Sequence, residues 1–271
     1  MLNWITKSGV VVGSFLGWMA LFQWTGIFLK RYFCHHQREI SQHHIMNVCE
    51  ATVCIIQSVL TSLFGIIIVL SCRHDVMGAT NSLSTWYALV LASYFIYDTI
   101  AMYKVHLCSL TNVPRSFLGC MTSYIKRRAL LVAHHVVIAF ILCPVLVYRD
   151  GIGDFFVGCF YCVELSGPFT NMRIVLSRFG LKDSKWYVSN GIAMIVSFAL
   201  CRIMLIPYMY ITYGYTYQLN VIEVIRKIPL HCNLGCLLVL LPQIHWLRLM
   251  ILGAVKLCKG KSITESDEKI D

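Results

Sequence analysis

The chain has 271 residues, is 58% hydrophobic and only 13% charged, and carries a formal net charge of +10. A soluble domain carries roughly 25% charged residues, so this composition excludes an ordinary soluble enzyme and points to an all-α polytopic membrane protein. The positive charge then reads as membrane topology and attraction to anionic lipid surfaces, not as nucleic-acid binding. Most of the thirteen cysteines lie in apolar runs, where small packing residues are the better account than a secreted disulfide framework.

Seven apolar runs follow in order, at about 9–29, 51–71, 85–104, 129–148, 155–176, 188–213 and 233–255. About 20 residues cross a typical hydrocarbon core. The first run lacks a small-residue cleavage site and reads as an anchor over residues 1–29. The fifth is the least apolar, because it holds Glu164, Pro168, Asn171 and Arg173. Pro144, Pro168, Pro207 and Pro242 are expected to kink their helices. Residues 256–271 are polar and read as a disordered tail.

The basic residues alternate with these runs. The connections after runs one, three and five and the C-terminal tail carry fourteen Lys and Arg, against five in the N-terminus and the other connections. The alternation predicts an odd number of spans, with the N-terminus lumenal and the C-terminus cytosolic.

Within the fourth run stand two adjacent histidines, His134 and His135. Ionisable side chains in hydrocarbon are rare and are functional-site candidates by default. The run starts from the cytosolic side, so at 1.5 Å per residue the pair lies about 8–9 Å deep. Asp98, about six residues before the cytosolic end of run three, falls at nearly the same depth. Glu164, Asn171 and Arg173 on run five can approach from a third helix. A carboxylate that orients an imidazole raises its basicity. Adjacent helical residues point about 100° apart, so the two imidazoles serve different partners. Glu164 and mid-span Arg202 stand equally well as a packing pair. His35, His36, His43 and His44 read as a solvated connection, and Cys159 and Cys162 are too few for a structural zinc site.

The stretches YFIYDTIAMY, LLVAHH and GDFFVGCFYCVELSGPFTN, followed by CRIMLIPYMYITYG and VLLPQIHW, resemble the TLC domain of ceramide synthases and their relatives. The resemblance covers roughly residues 30–255 and is nearest to the TLC domain-containing protein 3 group. It implies about seven transmembrane helices, six of them surrounding a lipid cavity. It also implies N-acylation of a sphingoid base by fatty acyl-CoA, a co-substrate and not a bound cofactor, with no metal. Catalysis would fall to His134 and His135, supported by Asp98 and Glu164. Asn171, Arg173, Lys126, Arg127 and Arg128 are the candidate substrate-binding residues, the basic three for CoA phosphates. The expected partners are those two substrates and membrane lipids, with no nucleic acid and with a homodimer as the assembly to test. The expected location is the endoplasmic reticulum or Golgi membrane.

Two departures from the ceramide synthase pattern matter. Ile138 stands where a threonine follows the histidine pair, and Gly167 stands where a second acidic residue accompanies Glu164. A non-catalytic lipid-binding regulator of membrane composition is therefore the competing reading, with a transporter behind it.

Overall fold

The computed structural model describes residues 4–36, 41–110, 116–138, 149 and 151–267, with side chains as far as Leu257. The regular elements among them are helices: α1 (Trp4–His35), α2 (Gln42–Cys72), α3 (Ser82–Ser109), α4 (Phe117–Val137), α5 (Asp154–Cys162), α6 (Gly167–Arg178), α7 (Lys185–Phe198), α8 (Leu205–Tyr217), α9 (Val221–Lys227) and α10 (Leu230–Asp267). A 3-10 turn, Val163–Ser166, joins α5 to α6, and a π-helical stretch, Ala199–Met204, joins α7 to α8.

Five tracts are long and apolar enough to cross a membrane: Trp4–His35, Gln42–Cys72, Ser82–Ser109, Lys185–Tyr217 and Leu230–Leu257. The chain is an all-helical, multi-pass membrane protein. These tracts are the predicted spans one, two, three, six and seven. The predicted fifth falls on α5, the 3-10 turn and α6, whose pieces are individually too short. The predicted fourth is described only through Ile138, and its remainder, with Pro144, lies outside the described residues. Helix α4 begins earlier than that run, at Phe117, and bends at Arg128, whose φ of −125° and ψ of 24° are not helical. Helix α10 continues to Asp267, into the stretch read as a tail.

Polar residues mark the helix starts. Asn81 accepts a hydrogen bond from the Leu83 N–H at 3.0 Å, Ser184 caps α7 through Tyr187, and Asn220 with Glu223 forms a capping box on α9. Two prolines explain the irregular stretches. A proline ring clashes with the carbonyl four residues back. Pro168 displaces the Glu164 carbonyl, inside the 3-10 turn, and Pro207 displaces that of Ile203, inside the π stretch. Both broken segments carry ionisable side chains.

Helix α2 is the centre of the bundle and packs against α1, α3, α5 and α6. Its sidedness is the reverse of a soluble helix. Leu63, Ile66, Ile67 and Leu70 face outward, whereas Gln57, Ser58, Thr61 and Ser62 are buried. Lipid is as apolar as leucine, so nothing drives these aliphatic residues inward, and helices associate by close packing and hydrogen bonds. The buried groups are satisfied. Gln57 donates to Thr61 at 2.7 Å, and the Thr61 and Tyr87 hydroxyls meet at 2.7 Å. Backbone meets backbone at Gly65 on α2. A Cβ there would lie 2.8 Å from the Gly158 carbonyl oxygen and the Cys162 nitrogen of α5.

Candidate functional site

The polar centre of the bundle is built from α2, α3 and α4. His135 is buried, and its Nε2 lies 3.6 Å from the Asp98 Oδ2, an ion-pair separation slightly longer than a hydrogen bond. These two residues, which the rise per residue puts level with each other, are in contact. The other carboxylate oxygen of Asp98 accepts from the Cys54 thiol at 3.6 Å, and the Tyr94 hydroxyl donates to the Cys54 sulfur at 3.0 Å. Phe95 meets the His135 ring edge-on at 5.5 Å between centroids. Asp98 is held from one side by α2 and faces the imidazole on the other. Nδ1 of His135 is buried with no hydrogen-bond partner among the described residues.

His134 points elsewhere, as helix geometry requires. Its ring packs edge-on against Trp246 of α10, 5.3 Å between centroids, and it lies within electrostatic range of Arg202. One helix thus offers one imidazole to α3 and the next to the α7–α10 side.

A second polar cluster forms beside the first, on the two irregular segments. Glu164 in the 3-10 turn pairs with Arg202 in the π stretch at 3.3 Å. Ser58 of α2 donates to the second oxygen of Glu164 at 3.2 Å. Arg202 also donates to the Ser166 hydroxyl at 2.8 Å and to the Gln243 side-chain oxygen at 3.3 Å. Gln243 is fully buried, and its Nε2 has no partner among the described residues. Glu164 makes its direct contacts with Arg202 and Ser58 and lies within electrostatic range of His135.

The remaining candidates are dispersed. The Asn171 amide donates to the Gly167 carbonyl of its own helix at 3.0 Å. The Arg173 guanidinium sits over the Tyr187 ring, 4.2 Å from its centroid, which fastens α6 to α7. Lys126 and Arg127 are exposed and line a hollow of about 670 Å³ with Leu118, Gly119, Thr122 and Ser123. Arg128 is exposed at the bend of α4. A hollow of about 430 Å³ lies between α6 and α7, lined by Phe169, Met172, Leu176, Trp186 and Asn190 among others. Neither hollow is an enclosed chamber at the histidines.

The family model of the TLC domain matches residues 47–252. The chain belongs to the TLC-domain family. The matched residues of this TLC domain include every candidate site residue of α3, α4, the 3-10 turn and α6, together with Arg202 and Gln243. No solved structure matches the chain.

The sequence assigns no role to several residues of the two clusters. Cys54 reads as a packing cysteine, but it hydrogen-bonds to Asp98. Ser58, Tyr94, Ser166 and Gln243 are uncharged and had no distinguishing spacing. The available signal was a polar residue in a span on the side opposite its aliphatic face, as with Cys54 and Ser58 on α2.

Proposed function

We propose that this chain is a ceramide synthase-like enzyme that N-acylates a sphingoid base with fatty acyl-CoA, within sphingolipid metabolism. We place it in the endoplasmic reticulum or Golgi membrane, with its N-terminus lumenal and its C-terminus cytosolic. The observation that carries the reading is His135, an imidazole buried among apolar helices with one nitrogen against a carboxylate and the other unpartnered. An ionised Asp98 can only accept, so Nε2 carries the ring hydrogen and Nδ1 keeps its lone pair.

In this reading Nδ1 takes a proton from the substrate amine, and the amine nitrogen attacks the thioester carbonyl. The C–N bond forms and the C–S bond breaks. The departing CoA thiolate then takes the proton from His135, leaving an amide and a free thiol. Asp98 orients the ring and stabilises the imidazolium between the two transfers. His134, on the adjacent face, contacts the acyl donor on the Trp246 side. The basic hollow lined by Lys126 and Arg127 suits CoA phosphates, which favour Lys and Arg donors.

A second reading has its own observation. Ile138 is apolar and packs against the bundle core one turn after His134, where the ceramide synthase pattern has a hydroxyl. A lipid-binding regulator that keeps the fold without acyl transfer is consistent with that position.

Purified protein supplied with sphinganine and a panel of acyl-CoAs decides between them. The enzyme reading expects ceramide from wild type and none from a folded His134→Ala/His135→Ala variant. Product from neither, with both well folded, leaves the regulator.

A further inference from the structure

The connection between α6 and α7 joins two helices side by side and gathers basic residues at their joined ends. Gly180 takes the left-handed conformation, φ 77°, after the last turn of α6. The Leu181 N–H donates to the Leu176 carbonyl at 2.9 Å and the Gly180 N–H to the Ser177 carbonyl at 3.3 Å, the paired bonds that close a helix end on a glycine. Ser184 then starts α7 by accepting from the Tyr187 N–H at 3.2 Å. The Asn190 amide donates back to the Phe169 carbonyl at 2.9 Å, and Arg173 sits over Tyr187, so the two helices are tied along their length. The turn is a fixed platform.

On one side of this hairpin the helices part. The hollow of about 430 Å³ described above begins near the connection, at Leu176 and Trp186, and reaches Phe169 and Ala193. Seven residues on each helix at 1.5 Å per residue make it about 10 Å long. Its walls carry no charged side chain, and Trp186, 77% exposed, stands at its mouth. The residues that bound the mouth in the chain are Arg178, half-buried, and Lys182 and Lys185, both exposed. Asp183 is the one carboxylate between residues 171 and 190. None of the three basic groups belongs to an ion pair among the described residues.

These features together specify the occupant. A soluble anion would meet the charges but leave the slot uncovered. A neutral lipid would fill the slot but leave the charges unmet. Each Lys or Arg near a membrane surface favours an anionic headgroup about fivefold, and a tryptophan suits the level where headgroup meets chain. We propose that the α6–α7 hairpin seats one anionic phospholipid, its headgroup against Lys182 and Lys185 and one acyl chain laid in the hollow between the two helices. In the topology proposed above the mouth opens on the cytosolic leaflet, where anionic lipids are held. The seat uses no residue of the two polar clusters and is independent of acyl transfer. The lipid is a resident of the fold and not a substrate.

The test is lipid binding by full-length protein in detergent, read by native mass spectrometry with no acyl-CoA present. The probes are dioleoyl phosphatidylserine and dioleoyl phosphatidylcholine, which share their chains and differ in headgroup charge. Wild type should prefer phosphatidylserine for its first bound lipid by at least about tenfold. Lys182→Gln/Lys185→Gln should bring that preference within about threefold while still binding phosphatidylcholine, which shows that it is folded. If it binds neither lipid, Lys182→Gln alone decides by the same criterion. Lys126→Gln/Arg127→Gln removes the same charge at the other hollow and should keep the preference. Ser189→Trp fills the slot, leaves the lysines in place and should weaken phosphatidylserine at least about fivefold. Met172→Trp does the same from the opposite wall if Ser189→Trp does not fold. Equal loss from the two charge-removing pairs overturns the proposal, because the attraction is then the general field of a basic protein. A wild type without preference overturns it too, and so does a lysine variant or a folded slot-filling variant that binds phosphatidylserine as wild type does. Lipid preference without ceramide formation would sink the acyltransferase reading and leave the seat, and ceramide formation without lipid preference would do the reverse.

Discussion

Replacing Asp154 with alanine should be among the most damaging changes outside the polar centre. Asp154 is 1% exposed and begins α5. Its carboxylate accepts from the Asn81 N–H and, at 2.8 Å, from the Ser84 hydroxyl, both at the start of α3. It also pairs with the Arg149 guanidinium. Arg149 has two other contacts, the Ile152 carbonyl and the Ser84 hydroxyl, both at 2.8 Å. Alanine therefore leaves a guanidinium without its counter-charge where its side chain is only 11% exposed. Breaking a buried pair from one side costs about 3–5 kcal/mol, and the lost hydrogen bonds are part of that figure, not an addition to it. At roughly 2–4 °C per kcal/mol for a chain of this order, the thermal midpoint should fall by about 6–20 °C. Asp154→Asn keeps the shape and one acceptor and should cost about half as much. Arg149→Leu combined with Asp154→Ala removes the orphaned charge and should recover much of the loss. Thermal unfolding of wild type, these three variants and Arg149→Leu alone in the same detergent measures this. An Asp154→Ala midpoint within about 2 °C of wild type, or strictly additive losses in the double variant, would refute the reasoning.

Asp98→Asn should leave the unfolding temperature near wild type and reduce ceramide formation about 100-fold or more in kcat, because His135 loses the group that fixes its tautomer. A variant with full kcat would remove Asp98 from the mechanism. His134→Ala, which removes the proposed acyl-donor contact and the Trp246 packing but leaves the His135–Asp98 pair, should retain more activity than His135→Ala in the same assay, and equal losses would contradict the division of roles. Gly65→Ala places a Cβ 2.8 Å from α5 backbone and should destabilise by about 1–3 kcal/mol, whereas Gly9→Ala, with nothing within 4 Å, should stay within about 0.5 kcal/mol of wild type in parallel melts. Arg202→Met should destabilise by about 1–3 kcal/mol, less than a fully buried pair because Glu164 keeps 26% exposure and its Ser58 contact, and Glu164→Gln in the same background should restore part of it.

The order and class of the helices could be read from hydropathy, since five of the seven apolar runs coincide with long helical tracts. Depth was legible too, because rise per residue is constant: Asp98 and His135 were placed level, and they are in contact. Neighbour relations were not legible. A run of apolar residues gives the height of a side chain but not which helix lies beside it. Glu164 therefore reads equally well as a partner for His135 or for Arg202, and its direct contact is with Arg202. Asn171 and Arg173 share its run, but one bonds its own backbone and the other a tyrosine ring. Pro168 and Pro207 announce disturbed helix, yet only packing shows that each disturbance positions one member of the Glu164–Arg202 pair. Cys54 was hidden by its own chemistry, since a thiol in a span looks apolar until a carboxylate lies next to it.

Helix α2 sets the metric of the interior. Glu50, Cys54 and Ser58 follow one another at intervals of four, so they stand on one stripe about 6 Å apart. The last two bond different carboxylates: Cys54 bonds Asp98, and Ser58 bonds Glu164. The separation of the imidazole cluster from the glutamate–arginine cluster is therefore one helical turn of a single rod. That rod is pinned two turns further on, where Gly65 meets α5 backbone to backbone. Sliding or rolling α2 cannot retune one cluster alone. It would move both by the same increment, so the two polar centres behave as marks on one ruler.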